Sequence, residues 1–404
     1  TLGGMPSDKI KVFPNINSGG SGGFSRGMLE ALGDKERYGL THVLLMDDDV
    51  VFTHYALERA YVFMRLLKKE NGTIMLGGAM MKLDEPFIQY AAGERIGNNF
   101  RILSSKGRFN MYALHDILSN EIEESINYAA WWFCCFPLEE SLRGNLALPL
   151  FMQGDDIEFG LRNARMKKVM LNGVCLWHES FEKKWMIQKD YYVIRNESIL
   201  LSIHDKSFTK RNIKQFILIP IIRNILIYDY KSAALMLRAV EDYLKGFEWL
   251  TRMDPQELNN EIMNAGYKPE PLENLPMSFN YQEYRESLIY KETKARQFFR
   301  KILLNGLFLK ANRDICAPAN NPMLGKPLKS NFYRARRVLN YDESTQKGFI
   351  TEKSLKETFG IMLRMLRVFH ALDKRFDKTV VSYREQYKRY ITEDFWRKFL
   401  KLEA

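Results

Sequence analysis

The chain reads as an α/β protein, with a mainly parallel sheet flanked by helices over residues 1–205 and a mainly α-helical domain over residues 206–404. Three observations predict this. Short apolar runs alternate with longer helical stretches in the first half, the pattern of strands and crossover helices. Strand-like runs are lost after about residue 205. The charge switches at the same place, from 23 Lys/Arg against 26 Asp/Glu (net −3) before it to 37 against 23 (net +14) after it. With 404 residues, 46% of them apolar and 27% charged, the chain has room for two or three domains and is not disordered as a whole.

Taken in order, a glycine-rich loop from Asn17 to Gly27 precedes a helical stretch. Residues 43–46 form a short apolar run that ends in Asp47-Asp48-Asp49, as a buried strand ends at a sheet edge. A helix is expected over residues 55–69, a strand over 74–80, a helix over 155–168 and a strand over 174–177. In the second half, helices are expected over 233–249, 283–307, 352–377 and 381–402. A Pro/Asn/Gly-rich break at 317–327 separates two of them. The most apolar run, residues 216–228, contains Pro220 and Arg223 and is shorter than the ~20 residues a span requires, so it reads as a buried or interfacial helix. Four cysteines without CxxC or zinc spacing exclude a disulfide scaffold and fit a reducing, cytoplasmic setting. The basic half fits a phosphate-bearing partner such as an anionic membrane surface, or a merely soluble basic domain, and no nucleic-acid-binding module is visible in it.

Several residues could carry chemistry. Residues i and i+2 of a strand point to one side, so Asp47 and Asp49 can converge on a hard divalent cation such as Mg²⁺ or Mn²⁺; a solvated acidic turn is the other reading. The glycines after Asn17 allow close approach to a phosphate at a helix N-terminus, although neither the P-loop lysine nor GxGxxG spacing is present, and a flexible loop fits as well. Asp155 and Glu158 imitate a capping box, leaving Asp156 on the first helical turn, where the dipole favours its ionised form and a general base needs it. His178 follows a strand and becomes a ligand only if that strand lies beside the aspartates. Trp131 and Trp132 could fill core or stack on sugar faces.

In this order, the segments resemble glycosyltransferase family 2, and within it the bacterial galactofuranosyltransferases of the galactan-elongating type. The matching run comprises Asn17 through Arg26 with its glycines, Met46 to Asp49, Gly93-Glu94, Trp131-Trp132 with Pro137, and residues 148–151. It continues through Asp155-Asp156 with Arg162, Trp177-His178 and Arg195-Asn196, covering about residues 12–205. The resemblance implies a GT-A fold in which Asp47, Asp49 and His178 hold Mn²⁺ or Mg²⁺ and Asp156 is the catalytic base. Asn17, Gly19, Gly20, Gly22, Gly23, Arg26 and Asp48 would border the UDP-sugar donor, while Trp131, Trp132, Glu94 and Asp155 would meet the acceptor. Family members begin with a strand–helix–strand unit that binds uridine. This sequence matches the family only beyond that unit, so the chain is expected to be N-terminally truncated.

The expected activity is therefore metal-dependent, inverting transfer of a sugar, galactofuranose first, from a UDP-sugar to a lipid-linked or polysaccharide glycan. The protein would sit peripherally at the inner face of the plasma membrane, with a homo-oligomer open. Rival readings are a family 2 transferase using a rhamnosyl or glucosyl donor, a nucleotidyltransferase or kinase, and a non-catalytic glycan-binding or scaffold relative. The missing P-loop and kinase signatures count against the second, and the intact Asp47, Asp49, Asp156 and His178 against the last.

Overall fold

The computed structural model describes residues 10–68, 71–97, 102–104, 106–181, 185–289, 291–321 and 326–402. The first half contains α1 (Gly19–Tyr38), β1 (His42–Leu45), β2 (Val51–Phe52), α2 (His54–Leu66), β3 (Ile74–Lys82), β4 (Ile88–Ala91), β5 (Arg95–Ile96), β6 (Ile102–Leu103) and β7 (Phe109–Asn110). It continues with α3 (Leu114–Asn120), β8 (Cys134–Pro137), α4 (Asp155–Arg162), β9 (Lys167–His178) and α5 (Ile187–His204).

The run Ile74–Lys82 is apolar on both faces and almost wholly buried, which makes β3 the middle of the sheet. β9 lies along one edge of β3; β8 and β4 share the other edge, with β1 outside β8, β7 outside β4 and β2 outside β9. The α/β class holds, but the sheet is mixed rather than mainly parallel. Among the described residues β3–β9 is its parallel pair, and the pairs β1–β8, β3–β8, β3–β4, β4–β7 and β2–β9 are antiparallel. The reason lies in the connections. A turn at 83–87 returns β3 directly as β4, and a short connection of that kind forces the antiparallel direction. β9, which arrives after α4, runs alongside β3 with Ile74 opposite Lys167 and Lys82 opposite His178.

Pairing with β3 also explains why the helix expected over 155–168 ends early. The Asn163 side chain caps it by donating to the Phe159 carbonyl at 2.8 Å, and Lys167 already belongs to the strand. The expected helix over 55–69 is α2; Lys69 lies outside the described residues.

The second half contains α6 (Lys210–Leu226), α7 (Tyr230–Tyr243), α8 (Phe247–Arg252), α9 (Pro255–Ala265), β10 (Glu270–Pro271), α10 (Tyr281–Ser287), α11 (Lys294–Ile302), β11 (Arg313–Pro318), β12 (Ala335–Asp342), β13 (Lys347–Glu352), α12 (Leu355–Gln386) and α13 (Glu393–Phe399). It is mainly helical as expected, with one addition: a four-stranded sheet in the order β10-β13-β12-β11. Ala317 and Pro318, read as the start of a break, end β11; residues 322–325 of that stretch lie outside the described residues. The helix expected over 233–249 is broken at Gly246, whose φ is +80°.

Ile213, Ile217, Ile221 and Ile225 repeat every fourth residue along α6 and enter a core shared with α5, α7 and α12. The same core takes in Tyr128, Leu150 and Phe151 from the first half. α13 returns to the start of the chain. Trp396 is fully buried, packs in one cluster with Met28 and Leu29, and donates its indole N–H to the Ala147 carbonyl at 2.9 Å. No helix among the described residues is long and apolar enough to cross a membrane.

Candidate active site

Asp47 and Asp49 follow β1, and His178 ends β9. The register of the sheet carries the His to the Asp loop, because β2, just past the aspartates, pairs with β9 through Val51 opposite Trp177. One ligand atom from each of Asp47, Asp49 and His178 lies within 4.8 Å of the other two. His178 is buried; its Nδ1 lies 2.7 Å from the Glu179 carbonyl oxygen and its Nε2 3.2 Å from Asp49 Oδ1. With Nδ1–H donating to that carbonyl, the Nε2 lone pair faces carboxylate oxygens. Acceptors turned toward one another at such range fit a cation between them, and two carboxylates with an imidazole suit Mg²⁺ or Mn²⁺. Burial and the neighbouring Asp49 hold the Asp47 carboxyl above its usual range, partly offset by His178.

Asp47 also lines a cavity of about 590 Å³. Asp155 and Asp156, at the start of α4, form another part of its wall, and Glu94 with Tyr128 a third. The Tyr128 hydroxyl donates to Glu94, and the two residues form an isolated antiparallel bridge outside the strands. Trp131 and Trp132 also line the cavity. Trp131 is 3% exposed and stands edge-on to Phe24 and Phe159, with its indole N–H lacking a protein partner. Trp132 is half-buried and donates to the Gly78 carbonyl at 2.9 Å.

The electrostatics of α4 differ from the expectation at two points. The capping box is absent: Gly154 is the cap residue, and the fully buried Glu158 carboxylate turns away to part-buried Arg162 (2.8 Å) and His204 (3.1 Å). Burial alone would raise the Glu158 carboxyl, but Arg162 and His204 outweigh it and hold it below its usual range. Nor does the helix dipole keep Asp156 readily ionised. Burial, then Asp155, Glu94 and Asp47, push its carboxyl well above the usual value, against one backbone N–H from Ile157 at 2.7 Å. A single helix N-terminus contributes only about 0.3–1 kcal/mol, less than burial beside three other carboxyls. Asp155 is pushed up to about 6, chiefly by burial.

The glycine-rich segment is not a loop. Gly19 to Gly23 are the opening turns of α1. Gly19 has φ +72°, and a Cβ there would lie 1.8 Å from the Phe151 carbonyl oxygen, so only glycine lets α1 start against that backbone. The Gly20 N–H donates to the same oxygen at 2.9 Å. Asn17, Gly19 and Gly20 consequently line the cavity. Gly22, Gly23, Arg26 and Asp48, expected at the donor, do not lie along its wall. Helical rotation turns Gly22 against Ser18 and leaves Gly23 facing open space; Arg26 pairs with Glu30 at 2.6 Å, and Asp48 is exposed.

Sequence reasoning missed Tyr90, Tyr128, Gln153, Lys189 and Asn259 on the cavity wall. They come from five separate places in the chain, and no spacing rule links them. It also assigned no role to Asn196, although that residue lies in the matched run. Phe151, Gln153 and Gly154 all have positive φ (68°, 62° and 98°), so the loop into α4 is strained. Asn196 holds it: Nδ2 lies 3.0, 2.6 and 2.8 Å from the carbonyl oxygens of Leu150, Met152 and Gln153. Arg195 donates to Leu150 as well, at 2.9 Å.

A curled mixed sheet flanked by helices, with a carboxylate-rich cavity beside its central strands, is compatible with a GT-A-like fold. Similarity to known proteins supports a glycosyltransferase. The chain is similar to galactofuranosyltransferase GlfT2 of Mycolicibacterium smegmatis, 28% identical over 261 residues that cover 60% of this chain and 38% of that protein. It is likewise similar to galactofuranosyltransferase GlfT2 of Mycobacterium tuberculosis, 26% identical over 262 residues covering 59% and 39%. The chain thus spans about two fifths of the length of these relatives. No protein-family model matches it.

Proposed function

We propose that the chain carries the catalytic site of a glycosyltransferase that moves a sugar, galactofuranose first among candidates, from a UDP-sugar to a glycan or glycolipid hydroxyl with inversion. The observation that carries this reading is the cluster of Asp47, Asp49 and His178, which reaches through Asp47 the cavity that Asp155, Asp156 and the two tryptophans line. The two relatives named galactofuranosyltransferases support the choice of sugar.

Asp47, Asp49 and His178 would hold a divalent cation, whose charge would offset the charge building on a departing diphosphate. Asn17, Gly19 and Gly20 would border the donor where α1 begins, and half-buried Trp132 would give the acceptor sugar an aromatic face, with Trp131 packed behind the wall. Asp156 takes the proton of the acceptor hydroxyl while that oxygen bonds to the anomeric carbon and the bond to UDP breaks. Attack from the face opposite the leaving group inverts the carbon. Asp155 and Glu94, close enough to raise Asp156, strengthen it as a base.

The test is transfer by the complete gene product from UDP-galactofuranose, UDP-glucose and dTDP-rhamnose to a synthetic glycolipid, with Mn²⁺, Mg²⁺ or chelator. Asp156→Asn is expected to lower turnover by about 10²–10⁴-fold while calorimetry still shows UDP and Mn²⁺ binding. Near-normal turnover in that variant, or full activity in chelator, overturns the assignment.

A further inference from the structure

A second space lies across the wall that carries Asp156. It is a groove of about 470 Å³, inside the roughly 300–1,000 Å³ of small-molecule sites. Two elements border both spaces. On α4, Asp155, Asp156 and Ile157 line the cavity, while Gly160, Leu161 and Ala164, beginning about one helical turn on, line the groove. Residues 123–127 line the groove, and Tyr128 and Ala130, which follow, line the cavity. Tyr128 crosses α4 at Gly160, where an added Cβ would lie 2.2 Å from the Tyr128 Cβ, and so divides the two spaces.

The groove wall holds hydrogen-bonding capacity that the protein does not use. Glu124 Oε2 is buried and accepts no hydrogen bond among the described residues. Asn127 gives its oxygen to the Ile96 N–H at 2.7 Å, and its NH₂ has no protein partner among them. A buried acceptor without a donor is costly and uncommon, and a wall built to meet a ligand accounts for one.

The charges narrow the class of ligand. Glu123 pairs with Lys167 at 3.2 Å, and Lys168 donates to the Asn163 carbonyl at 2.6 Å. Burial lowers the pKa of the Lys106 ammonium, and Glu124, ahead of Glu121 and Glu123, acts against the fall, which puts that cation within electrostatic reach of Glu124. The Lys106 ammonium itself donates to the Asn120 carbonyl at 2.6 Å, so it offsets the charge of Glu124 without filling its oxygen. What the wall lacks is a neutral group that donates to Glu124 and accepts from Asn127. A hydroxyl does both. Ile126, Leu161 and Met166 line the same groove and supply apolar surface for the C–H side of a sugar ring.

We propose that this groove is a second sugar subsite, holding residues of the acceptor glycan that precede the one whose hydroxyl reacts. It rests on the reading of the cavity as the transfer site, and it names the acceptor class: a chain of several sugars rather than a single residue.

The test is calorimetric titration of the full chain, without donor or metal, with di- and hexasaccharides of galactofuranose, glucose and rhamnose. The hexasaccharide of the preferred sugar is expected to bind about tenfold tighter than its disaccharide, roughly the worth of one hydrogen bond to a charged group. Ala164→Trp, at an exposed position, should fill the groove and remove that advantage by weakening the hexasaccharide alone, with melting unchanged. Glu124→Gln keeps the shape and turns one acceptor into a donor, and it should cut the advantage by about fivefold. In turnover, Ala164→Trp should raise KM for the hexasaccharide more than for the disaccharide. The advantage needs no donor, so a chain that keeps it yet transfers no sugar fails the transferase reading and not the groove. Equal binding of the two lengths by the parent, or an advantage that survives Ala164→Trp, overturns the proposal. So does binding of spermidine that Glu124→Gln abolishes, which would give the groove to a cation.

Discussion

Asn196→Ala removes the clamp on the loop that delivers Asp155 and Asp156. An amide NH₂ has two hydrogens, so the three carbonyls within 3.0 Å of Nδ2 share two bonds' worth of donation. Losing two buried bonds, with the Leu150 carbonyl keeping Arg195 and the Met152 and Gln153 carbonyls losing the amide, costs about 1–2 kcal/mol each, and Arg195 Nε loses the Asn196 oxygen it reaches at 2.9 Å. The expected net loss is about 1–3 kcal/mol, since the freed loop returns part of the cost by relaxing Gln153 out of positive φ while Gly20 and Ser21 still hold Phe151. The relaxation is what should appear at the site, since α4 begins immediately after Gly154. Asn196→Asp sharpens the test: an ionised carboxylate turned toward three carbonyl oxygens should be at least as harmful as Ala, whereas a protonated one can donate and should recover part of the loss at low pH. Urea unfolding gives the stability, and calorimetric titration with UDP and Mn²⁺ gives the site. A loss below about 0.5 kcal/mol for Asn196→Ala, the range of an ordinary surface change, would refute the clamp.

Burial elsewhere in the chain sets further outcomes. It pushes Glu197 up to about 8, so the folded form holds a proton that the unfolded chain, titrating near 4.3, releases; stability is therefore lost as pH rises from about 4 to 8, and Glu197→Gln should raise Tm by a few degrees at pH 8 and little at pH 4. His178→Ala should weaken Mn²⁺ binding in calorimetry with melting little changed in chelator; equal affinity in the variant would separate the imidazole from the cation. Gly19→Ala should destabilise by several kcal/mol in denaturant melts, because the added methyl meets the Phe151 carbonyl oxygen and the backbone sits at φ +72°. Arg162→Met leaves the buried Glu158 carboxylate with His204 alone, and a loss of about 3–5 kcal/mol in urea unfolding is expected.

Much of the sheet was legible because burial on both faces writes itself as an apolar run. Ile74 to Met80 read as a strand, and the three aspartates after residues 43–46 marked where a strand meets solvent. Asp47, Asp49, Asp156 and His178 were singled out by type and by an order that resembles a known family, and the fold brings Asp47, Asp49 and His178 within reach of one another. Only the tertiary structure decided what depends on partners distant in sequence. The sheet directions came from which edge of β3 each strand found, and the strands β11 to β13 came from pairing that polar-looking segments such as 335–342 do not advertise. Asn17 reached the cavity while Arg26 did not, because the glycine segment coiled into α1 against Phe151. Asp156 rose rather than fell because burial, with Asp155 beside it and Glu94 and Asp47 brought from elsewhere in the chain, outweighs the field of one short helix. Local sequence determines propensity, periodicity and ligand chemistry; long-range packing sets register, burial and the electrostatic sum, because each of these is a property of neighbours that the chain brings together only when folded.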